Sequence, residues 1–466
     1  MIRMNPILNK DLDGKKVLVI GLGITGVSLV EFLARQKVDI IINDCKDEAA
    51  LSPILEKLQD IRCRYILGKH PETLKEAGEP DMLIPSPGVP LDIPIISEAK
   101  LKKIPVLGEI ELAYKHMQAP ILAITGTNGK TTTTALVGDM LKRAKMKTEI
   151  VGNIGTAAIS KIEQLGQEAH CVMEVSSFQL ETIEAFRPKS AAVLNITPDH
   201  LNRHKSFEKY AQLKFDVFSN QTAKDYAVIN ADDETCLKML TKQEVKSKVI
   251  LFSRLRELEE GVFLKEGKVL IKEKHQDTIV IDRDRILLPG DHNLENAMAA
   301  IGLAWSAGVP LKAIRDSLEE FKGVEHRIEM VDCVNEVTYI NDSKATNPDA
   351  TEKAVLSVKR PIILLAGGMD KKSNFGGLID RFDDRVKQLV VYGETADKLV
   401  EDCREKNFYS VTKKRDLEEA VRYAYQVASP GDTVLLSPAC ASWDMYSDYE
   451  ERGNHFKQLV SQIKRK

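Results

Sequence analysis

Short apolar runs alternate with helical patterns along nearly the whole chain. The first strand-like runs, at residues 16–20 and 38–43, flank a stretch in which apolar residues recur with helical spacing. Further strand-like runs lie at residues 120–124, 337–340, 361–365, 388–392 and 433–436. Such alternation is typical of α/β proteins with mainly parallel sheets. We therefore predict an α/β fold throughout.

Two breaks divide this alternation into three blocks. Prolines crowd the region before Gly108, and Gly323 precedes a second change of pattern. We predict three domains in series, at residues 1–109, 110–323 and 324–466, which suits 466 residues at roughly 150 per domain. Between residues 248 and 288, short β-rich runs at 249–252, 261–264 and 269–271 surround Glu266 and Gly267. They predict a small antiparallel ribbon appended to the central sheet.

Composition and charge exclude several classes of protein. The chain is 43% apolar and 29% charged, with a net charge of −3, so no global attraction to nucleic acid or anionic membranes is expected. The seven cysteines are scattered without a C-x-x-C pair, which argues against disulfides and structural zinc. The N-terminus lacks a signal-peptide core, and no apolar stretch approaches the ~20 residues of a membrane helix. We expect a cytoplasmic protein without membrane insertion, working as a monomer.

The sequence TGTNGKTTTT begins at Thr125, directly after an apolar run. A strand, a glycine turn and a helix start point backbone N–H groups at one spot, which suits a phosphate chain. Lys130 would reach the outer phosphates and Thr131 would hold magnesium. Ile124 stands where the usual motif has its first glycine, which indicates a narrower group of ATP users. The predicted ATP loop comprises Gly126, Thr127, Asn128, Gly129, Lys130, Thr131 and Thr132.

A second glycine turn, GLGITG from Gly21, has Asp44 about 20 residues further on, as in dinucleotide-binding proteins. An NAD dehydrogenase is therefore one hypothesis. The glycines could equally form only a tight turn between strand and helix. A third interpretation is that the loop binds the diphosphate of another nucleotide. The separate ATP-type loop favours this third interpretation, because a dehydrogenase has no use for one.

Several polar residues follow strand ends. Glu174 ends an apolar run beside the phosphate loop, and we favour a magnesium ligand over a structural glutamate. His200 lies just past another strand, where structural and functional roles are equally balanced. Lys214 reads, from the sequence alone, as a solvated helix lysine. Arg327, Lys344 and Lys372 are unremarkable singly, but together they are cations near loops after strands and suit phosphate or carboxylate binding.

Together these segments resemble the Mur ligase family over essentially the whole chain. The altered phosphate loop is shared by Mur ligases and folylpolyglutamate synthases, and SSFQL and SPACAS are similar to members that add D-glutamate. The motifs that carry the resemblance are GLGITG at Gly21, SPGVP at Ser86, TGTNGKTTT at Thr125, GNIG at Gly152, EVSSFQLE at Glu174, NITPDHLNRH at Asn195, GDHNLEN at Gly290, HRIE at His326, NDSKATNPDAT at Asn341 and LLSPACASWDMY at Leu435.

The resemblance implies a Rossmann-like N-terminal domain, a P-loop-type central ATPase domain with a small β insert, and a Rossmann-like C-terminal domain. It implies that ATP activates the carboxylate of UDP-N-acetylmuramoyl-L-alanine as an acyl phosphate, which the amine of D-glutamate then attacks. It also implies two magnesium sites, one held by Thr131 and Glu174 and the other by His200 and Lys214. Because an ammonium cannot ligate a cation, Lys214 is expected to be carbamylated.

The remaining roles come from the same resemblance. Lys130, Glu174, His200, Lys214 and Lys344 are the expected catalytic residues. The UDP-linked substrate is expected at Ile24, Thr25, Asp44, Ser86, Gly88, Asn153, Ser176 and Gln179. Further ATP contacts are expected from Asn293, Asn296, Arg327 and Asp342. D-Glutamate is expected at Thr346, Lys372, Ser442 and Tyr449.

Some positions depart from the family pattern, and several alternative functions remain to be compared with the ligase hypothesis. Trp443 and Tyr449 stand where relatives more often carry Leu and Phe, and Lys371 adjoins Lys372. These differences concern recognition of the amino acid. The rivals are a ligase of the same family with another amino acid or a folate, an NAD oxidoreductase, and a catalytically silent nucleotide-dependent regulator.

Overall fold

The computed structural model describes residues 12–153, 156–369 and 373–464. Its strands form three sheets, and the chain divides into two compact units. The first unit contains the chain up to residue 285 together with residues 295–319, and the second contains residues 286–294 together with the chain from residue 320. The predicted α/β fold is confirmed.

The N-terminal sheet has four parallel strands in the order β3-β2-β1-β4. Val17, Leu18, Val19 and Ile20 of β1 are fully buried, because helices cover both faces of a parallel sheet. The elements are β1 (Lys16–Ile20), α1 (Ile24–Leu33), β2 (Asp39–Asp44), α2 (Glu48–Lys57), β3 (Cys63–Leu67), β4 (Met82–Pro85) and α3 (Pro94–Leu101).

The central sheet has nine strands in the order β13-β12-β11-β10-β9-β8-β5-β7-β6, with β5 flanked by β7 and β8. Its elements are α4 (Glu109–His116), β5 (Ile121–Thr125), α5 (Lys130–Arg143), β6 (Lys147–Gly152), β7 (Ala169–Glu174), α6 (Ser177–Leu180), β8 (Ser190–Val193), α7 (Leu201–His204), α8 (Phe207–Phe215), β9 (Tyr226–Asn230), α9 (Glu234–Lys242), β10 (Lys248–Ser253), β11 (Gly261–Lys265), β12 (Lys268–Glu273), β13 (Gln276–Asp282), α10 (Asp291–Ser306) and α11 (Leu311–Glu320). Short 3₁₀ helices lie at Ala158–Gln164, Asp216–Phe218 and Arg283–Arg285.

The predicted antiparallel ribbon exists, but its membership differs from the prediction. Strands β11, β12 and β13 pair antiparallel, and Glu266 and Gly267 form the β11–β12 turn with positive φ. Strand β10 pairs parallel with β9 instead, so the inclusion of residues 249–252 in the ribbon was wrong. Helix α9 connects β9 to β10, and such a crossover returns the chain in the same direction.

The C-terminal sheet has six strands in the order β14-β15-β19-β16-β17-β18. All neighbouring pairs are parallel except β14 and β15, which pair antiparallel at one edge. Its elements are β14 (Glu329–Val334), β15 (Val337–Asn341), α12 (Pro348–Ser357), β16 (Ile362–Gly367), α13 (Gly376–Ile379), β17 (Val386–Tyr392), α14 (Ala396–Glu405), β18 (Val411–Lys413), α15 (Leu417–Val427), β19 (Thr433–Leu436) and α16 (Tyr449–Lys464).

Two predictions concern the whole chain, namely the state of its cysteines and its lack of membrane-spanning helices. The seven cysteines are all free, as their scattered spacing predicts. Within the described ranges, the structure contains no helix with both the length and the apolar character needed to cross a membrane.

Candidate active site

The loop between β5 and α5 has the conformation that its glycines predict. Gly126 and Gly129 have φ of 153° and 84°, and Gly129 forms the N-terminal boundary of α5. A Cβ at Gly129 would lie 2.1 Å from Oδ1 of Asn296, so only glycine fits there. The structure therefore brings the buried Asn296 against the loop, as an ATP contact would require.

The loop is held in place by side chains that follow strand β8. The Asn195 side chain accepts a hydrogen bond from the Asn128 backbone N–H at 2.9 Å and donates to the Asn128 carbonyl at 3.1 Å. Thr127 Oγ1 lies 3.1 Å from the Tyr210 hydroxyl and accepts from the Thr197 N–H at 3.0 Å. Sequence reasoning missed the supports Asn195 and Tyr210. The position of Asn195 beside a strand end was the available signal.

Lys130 at the start of α5 points back to the loop. Its ammonium donates hydrogen bonds to the carbonyls of Gly126 and Thr127, both at 2.8 Å. The charge therefore lies among backbone groups of the phosphate loop. This position suits neutralisation of a bound phosphate chain.

Thr131 and Glu174 meet because β5 and β7 are neighbouring parallel strands, with Ile124 paired to Glu174. Thr131 Oγ1 donates to Glu174 Oε2 at 2.9 Å, and Asn153 Nδ2 donates to Oε1 at 3.0 Å. A hydroxyl beside a carboxylate fits magnesium, which takes few protein ligands and completes its shell with phosphate oxygens and water. Among the residues that the structure describes, no group of three or more His, Cys, Asp or Glu side chains forms an all-protein metal site.

His200 occupies a left-handed position, with φ of 54°, immediately before α7. Its ring lies 4.9 Å from that of Phe178, and Nε2 is 3.6 Å from Asp199 Oδ2. The side chain is 39% exposed. An accessible imidazole next to a carboxylate is able to accept a ligand or a metal ion.

Lys214 is only 1% exposed, so the expectation of a solvated helix lysine was wrong. Its Nζ donates to the Gly126 carbonyl at 2.8 Å and lies 4.6 Å above the ring of Tyr210. Burial lowers the pKa of Lys214 well below its ordinary value, and the charge of Lys130 lowers that pKa further. This environment favours the neutral, nucleophilic amine. The sequence could not show this, because helix α8 has to pack on the phosphate loop first.

The N-terminal glycine loop is tied to the residues predicted with it. Asp44 accepts hydrogen bonds from the backbone N–H groups of Leu22 at 2.7 Å and Lys46 at 2.9 Å. Ser86 Oγ donates to the Gly21 carbonyl at 2.9 Å. Asp44 and Ser86 thus shape the loop through hydrogen bonds of their own.

The other predicted contacts for the UDP-linked substrate also lie in the first unit. Ile24 at the start of α1 is 71% exposed, Thr25 is half-buried and Gly88 is exposed. Ser176 and Gln179 form a capping box at the start of α6. Gln179 also lines a cavity that includes Ser86, Val89, Glu109, Phe178 and Arg203.

In the second unit, Asp342 lies at the end of β15 and is fully buried. It accepts hydrogen bonds from Ser437 Oγ at 2.7 Å and from the Ile328 N–H at 3.2 Å. Burial raises the pKa of Asp342 to about 6, against the opposing charge of Arg327. Asn293, near the start of α10, is buried and donates to the Pro289 carbonyl at 2.8 Å.

The structure brings Lys344 and Tyr449 together. Lys344 Nζ lies 3.1 Å from the tyrosine hydroxyl and 4.9 Å from the ring centre. Thr346 is half-buried, and Ser442 is buried in the loop after β19. Lys372 lies outside the described residues.

Arg452 on α16 was missed by sequence reasoning. Its guanidinium is 1% exposed and donates to Ser343 Oγ at 3.0 Å and the Ser343 carbonyl at 2.8 Å. It also donates to the carbonyls of Cys440 and Ala441. One arginine thus joins the two loops that carry Lys344 and Ser442. An arginine in an amphipathic helix gives no sequence signal for such a role.

Three protein-family models match this chain. The model described as Mur ligase MurD-like, N-terminal domain, matches residues 15–108. The Mur ligase middle domain matches residues 124–304, and the Mur ligase, glutamate ligase domain, matches residues 326–440. Together the three models cover most of the chain.

Similar proteins include two ligases of the same name. UDP-N-acetylmuramoylalanine--D-glutamate ligase of Alkaliphilus oremlandii is 51% identical over 98% of this chain and 100% of its own length. The ligase of that name from Clostridioides difficile is 49% identical over 97% of this chain and 100% of its own.

Solved structures show the same fold at low sequence identity. MurF from Acinetobacter baumannii has a TM-score of 0.62 at 16% identity, covering 96% of this chain and 93% of that one. UDP-N-acetylmuramate-alanine ligase MurC from Thermotoga maritima has a TM-score of 0.60 at 20% identity, covering 97% of this chain and 100% of that one.

Proposed function

The chain belongs to the Mur ligase family, and we propose that it joins D-glutamate to UDP-N-acetylmuramoyl-L-alanine, with ATP as the phosphoryl donor, in peptidoglycan precursor synthesis. The proposal rests on full-length similarity to proteins named UDP-N-acetylmuramoylalanine--D-glutamate ligase. The phosphate loop supports the use of ATP, because Lys130 and the Thr131–Glu174 pair lie where a phosphate chain and magnesium would bind.

The reaction needs activation because a carboxylate is a poor electrophile and its oxide is a poor leaving group. Transfer of the γ-phosphoryl group of ATP to the alanyl carboxylate forms an acyl phosphate and releases ADP. The amine of D-glutamate then attacks the carbonyl carbon, a C–N bond forms, phosphate leaves, and the amine loses a proton to solvent. Lys130 and Lys344 would neutralise charge on the transferring group.

The proposed metal sites draw on different residues. Thr131 and Glu174 would hold one magnesium ion, which screens phosphate charge when bound. His200 and a carbamylated Lys214 would hold the second. The buried amine of Lys214 supports carbamylation, in which the neutral nitrogen bonds to the carbon of dissolved CO₂ and loses a proton. The product is an anion, which can bind a cation where an ammonium cannot.

The substrates divide along the chain. We assign the UDP-linked substrate chiefly to residues 1–109, with Asn153, Ser176 and Gln179, and ATP to residues 110–323. D-Glutamate is assigned to residues 324–466, through Thr346, Lys372, Ser442 and Tyr449. Further ATP contacts would come from Asn293, Asn296, Arg327 and Asp342. The free cysteines support a cytoplasmic location.

Phosphate release with a panel of amino acids tests the proposal. UDP-N-acetylmuramoyl-L-alanine, ATP and magnesium are supplied with D-glutamate, L-glutamate, L-alanine or L-lysine in separate reactions. We expect turnover with D-glutamate alone, and none in Lys130→Ala. Equal turnover without D-glutamate would refute the assignment. Preference for another amino acid would favour a different ligase of the family.

A further inference from the structure

Arg203 on α7 is a largely buried arginine without a part in the chemistry described so far. Its side chain is 15% exposed, and Nη2 lies 2.6 Å from Glu181 Oε2. The same Nη2 donates to the Val89 carbonyl at 2.8 Å, while Nε lies 3.3 Å from both Glu181 oxygens. The guanidinium carbon is 5.3 Å from the centre of the Phe178 ring. The guanidinium therefore contacts two separate segments, the loop at Val89 and helix α6 with Glu181 at its end.

Each of these segments carries residues assigned to a substrate or metal. Val89 ends the turn that begins at Ser86, and Ser86 is hydrogen-bonded to the N-terminal glycine loop. Phe178 lies within α6, where Gln179 belongs to the capping box, and Glu181 follows directly. Arg203 itself follows His200 by less than one helical turn. One side chain thus connects the UDP-substrate loop, the muramoyl region and the second metal site.

The planar guanidinium suits this connection. Nη2 carries two N–H groups and donates both to Glu181 and to the Val89 carbonyl, while Nε also faces Glu181. An ammonium is a compact point charge without this planar geometry. Glu181 is 13% exposed and fixes the orientation of the fork. The Val89 carbonyl thus accepts a hydrogen bond from a charged donor.

We propose that Arg203 is a positioning residue for the UDP-linked substrate. It holds the loop at residues 86–89 against α6 and sets the distance from that loop to His200. This inference rests on the proposed function for the identity of the substrate. The contact between Arg203 and the loop can be tested separately from catalysis.

Hydrogen–deuterium exchange of the ligand-free protein tests the contact with the loop. Arg203→Met should increase exchange at residues 82–91 by about tenfold, because the loop loses its charged donor. Arg203→Lys should keep the ion pair with Glu181 and hence the thermal stability, yet show the same increase at residues 82–91. Arg187→Met is the matched control. Arg187 pairs with Asp225 at 2.8 Å, away from the cavity, so its loss should leave residues 82–91 unchanged.

Steady-state kinetics on the same variants tests the role in substrate binding. In both Arg203 variants we expect KM for the UDP-linked substrate to rise about tenfold and KM for ATP to change by less than about twofold. Unchanged exchange at residues 82–91, wild-type kinetics in Arg203→Lys, or equal changes in both KM values would overturn the inference. If the wild type shows no turnover, the proposed function fails, while the exchange result still decides whether Arg203 holds the loop.

Discussion

At the scale of single residues, two buried glutamates at the start of α4 bind backbone amides in different ways. Glu109 accepts a hydrogen bond from the Ile159 N–H at 2.7 Å. Glu111 accepts from three consecutive N–H groups, those of Glu184, Ala185 and Phe186, each at 2.9 Å. Burial raises the pKa of Glu109 to about 7. Glu109 therefore binds a proton more readily in the folded protein than in the unfolded chain.

Glu109→Gln should change how the stability of the first unit depends on pH. The pKa of Glu109 is higher in the folded protein than in the unfolded chain, so protonation of Glu109 stabilises the fold. This stabilisation is complete below the unfolded pKa, near 4.5, and is lost as the pH rises through the folded pKa of about 7. The glutamine is neutral throughout. The free energy of unfolding of the variant, measured relative to wild type, should therefore rise by up to about 3 kcal/mol between pH 4.5 and pH 8. Urea unfolding at both pH values measures it.

The control for this prediction is Glu111→Gln. Its amide would turn a donor towards backbone N–H groups, so the variant should be less stable than wild type at either pH. A constant difference between Glu109→Gln and wild type across the range would contradict the prediction.

Lys214→Ala should lose ligase turnover, and millimolar acetate or bicarbonate should restore part of it. The small anion would occupy the space of the lost side chain and supply the oxygen ligands of the carbamate. Phosphate release with and without acetate measures the effect. Lys209→Ala, on the exposed side of the same helix, should keep its turnover and gain nothing from acetate. Full activity of Lys214→Ala without acetate would refute carbamylation.

At the scale of elements, α8 carries both Tyr210 and Lys214 towards the phosphate loop, since residues four apart share a helix face. Its first turn is capped by Ser206, whose Oγ accepts from the Lys209 N–H at 3.1 Å. The orientation of the two side chains therefore depends on where the helix begins.

Ser206→Ala should lower the free energy of unfolding by about 1 kcal/mol, because the N–H of Lys209 loses its partner. Ser206→Asp should retain most of the stability, since aspartate also caps helices. Urea denaturation of the two variants makes the comparison. Equal stabilities for the alanine variant and wild type would show that water replaces the cap.

Some elements were predictable from local pattern and others were not. Strands β15, β16, β17 and β19 overlap the predicted apolar runs. In β16 and β19 every residue is buried, because a strand covered on both faces needs a continuous apolar segment. Strand β10 looked like part of the ribbon, since a short apolar run does not reveal its pairing partner. Pairing direction depends on the connection that precedes the strand.

At the scale of the whole molecule, the chain forms two compact units that each contain their own sheets. The proposed UDP-substrate residues all lie in the first unit, whereas Thr346, Ser442 and Tyr449 lie in the second. Ligands that bind a folded unit stabilise that unit by mass action.

Calorimetry should therefore resolve two unfolding transitions. The UDP-linked substrate, added without other ligands, should raise the unfolding temperature of the first unit and leave that of the second unchanged. At about 100 times Kd the stabilisation should be about 2.7 kcal/mol. Lys130→Ala should show the same shift, because Lys130 is assigned to ATP. A single transition that moves as a whole would mean that the units unfold together.

The sequence by itself determined the α/β alternation, the phosphate loop and the family resemblance, because each is carried by short segments whose own residues are close together in the chain. Strand, turn and helix start of the loop lie within about a dozen residues, so their conformation is a local property. Only the tertiary structure decided the burial of Lys214, the support from Asn195 and Tyr210, and the connections made by Arg203 and Arg452. Those depend on which distant segments pack together, and burial then changes what a charged side chain can do.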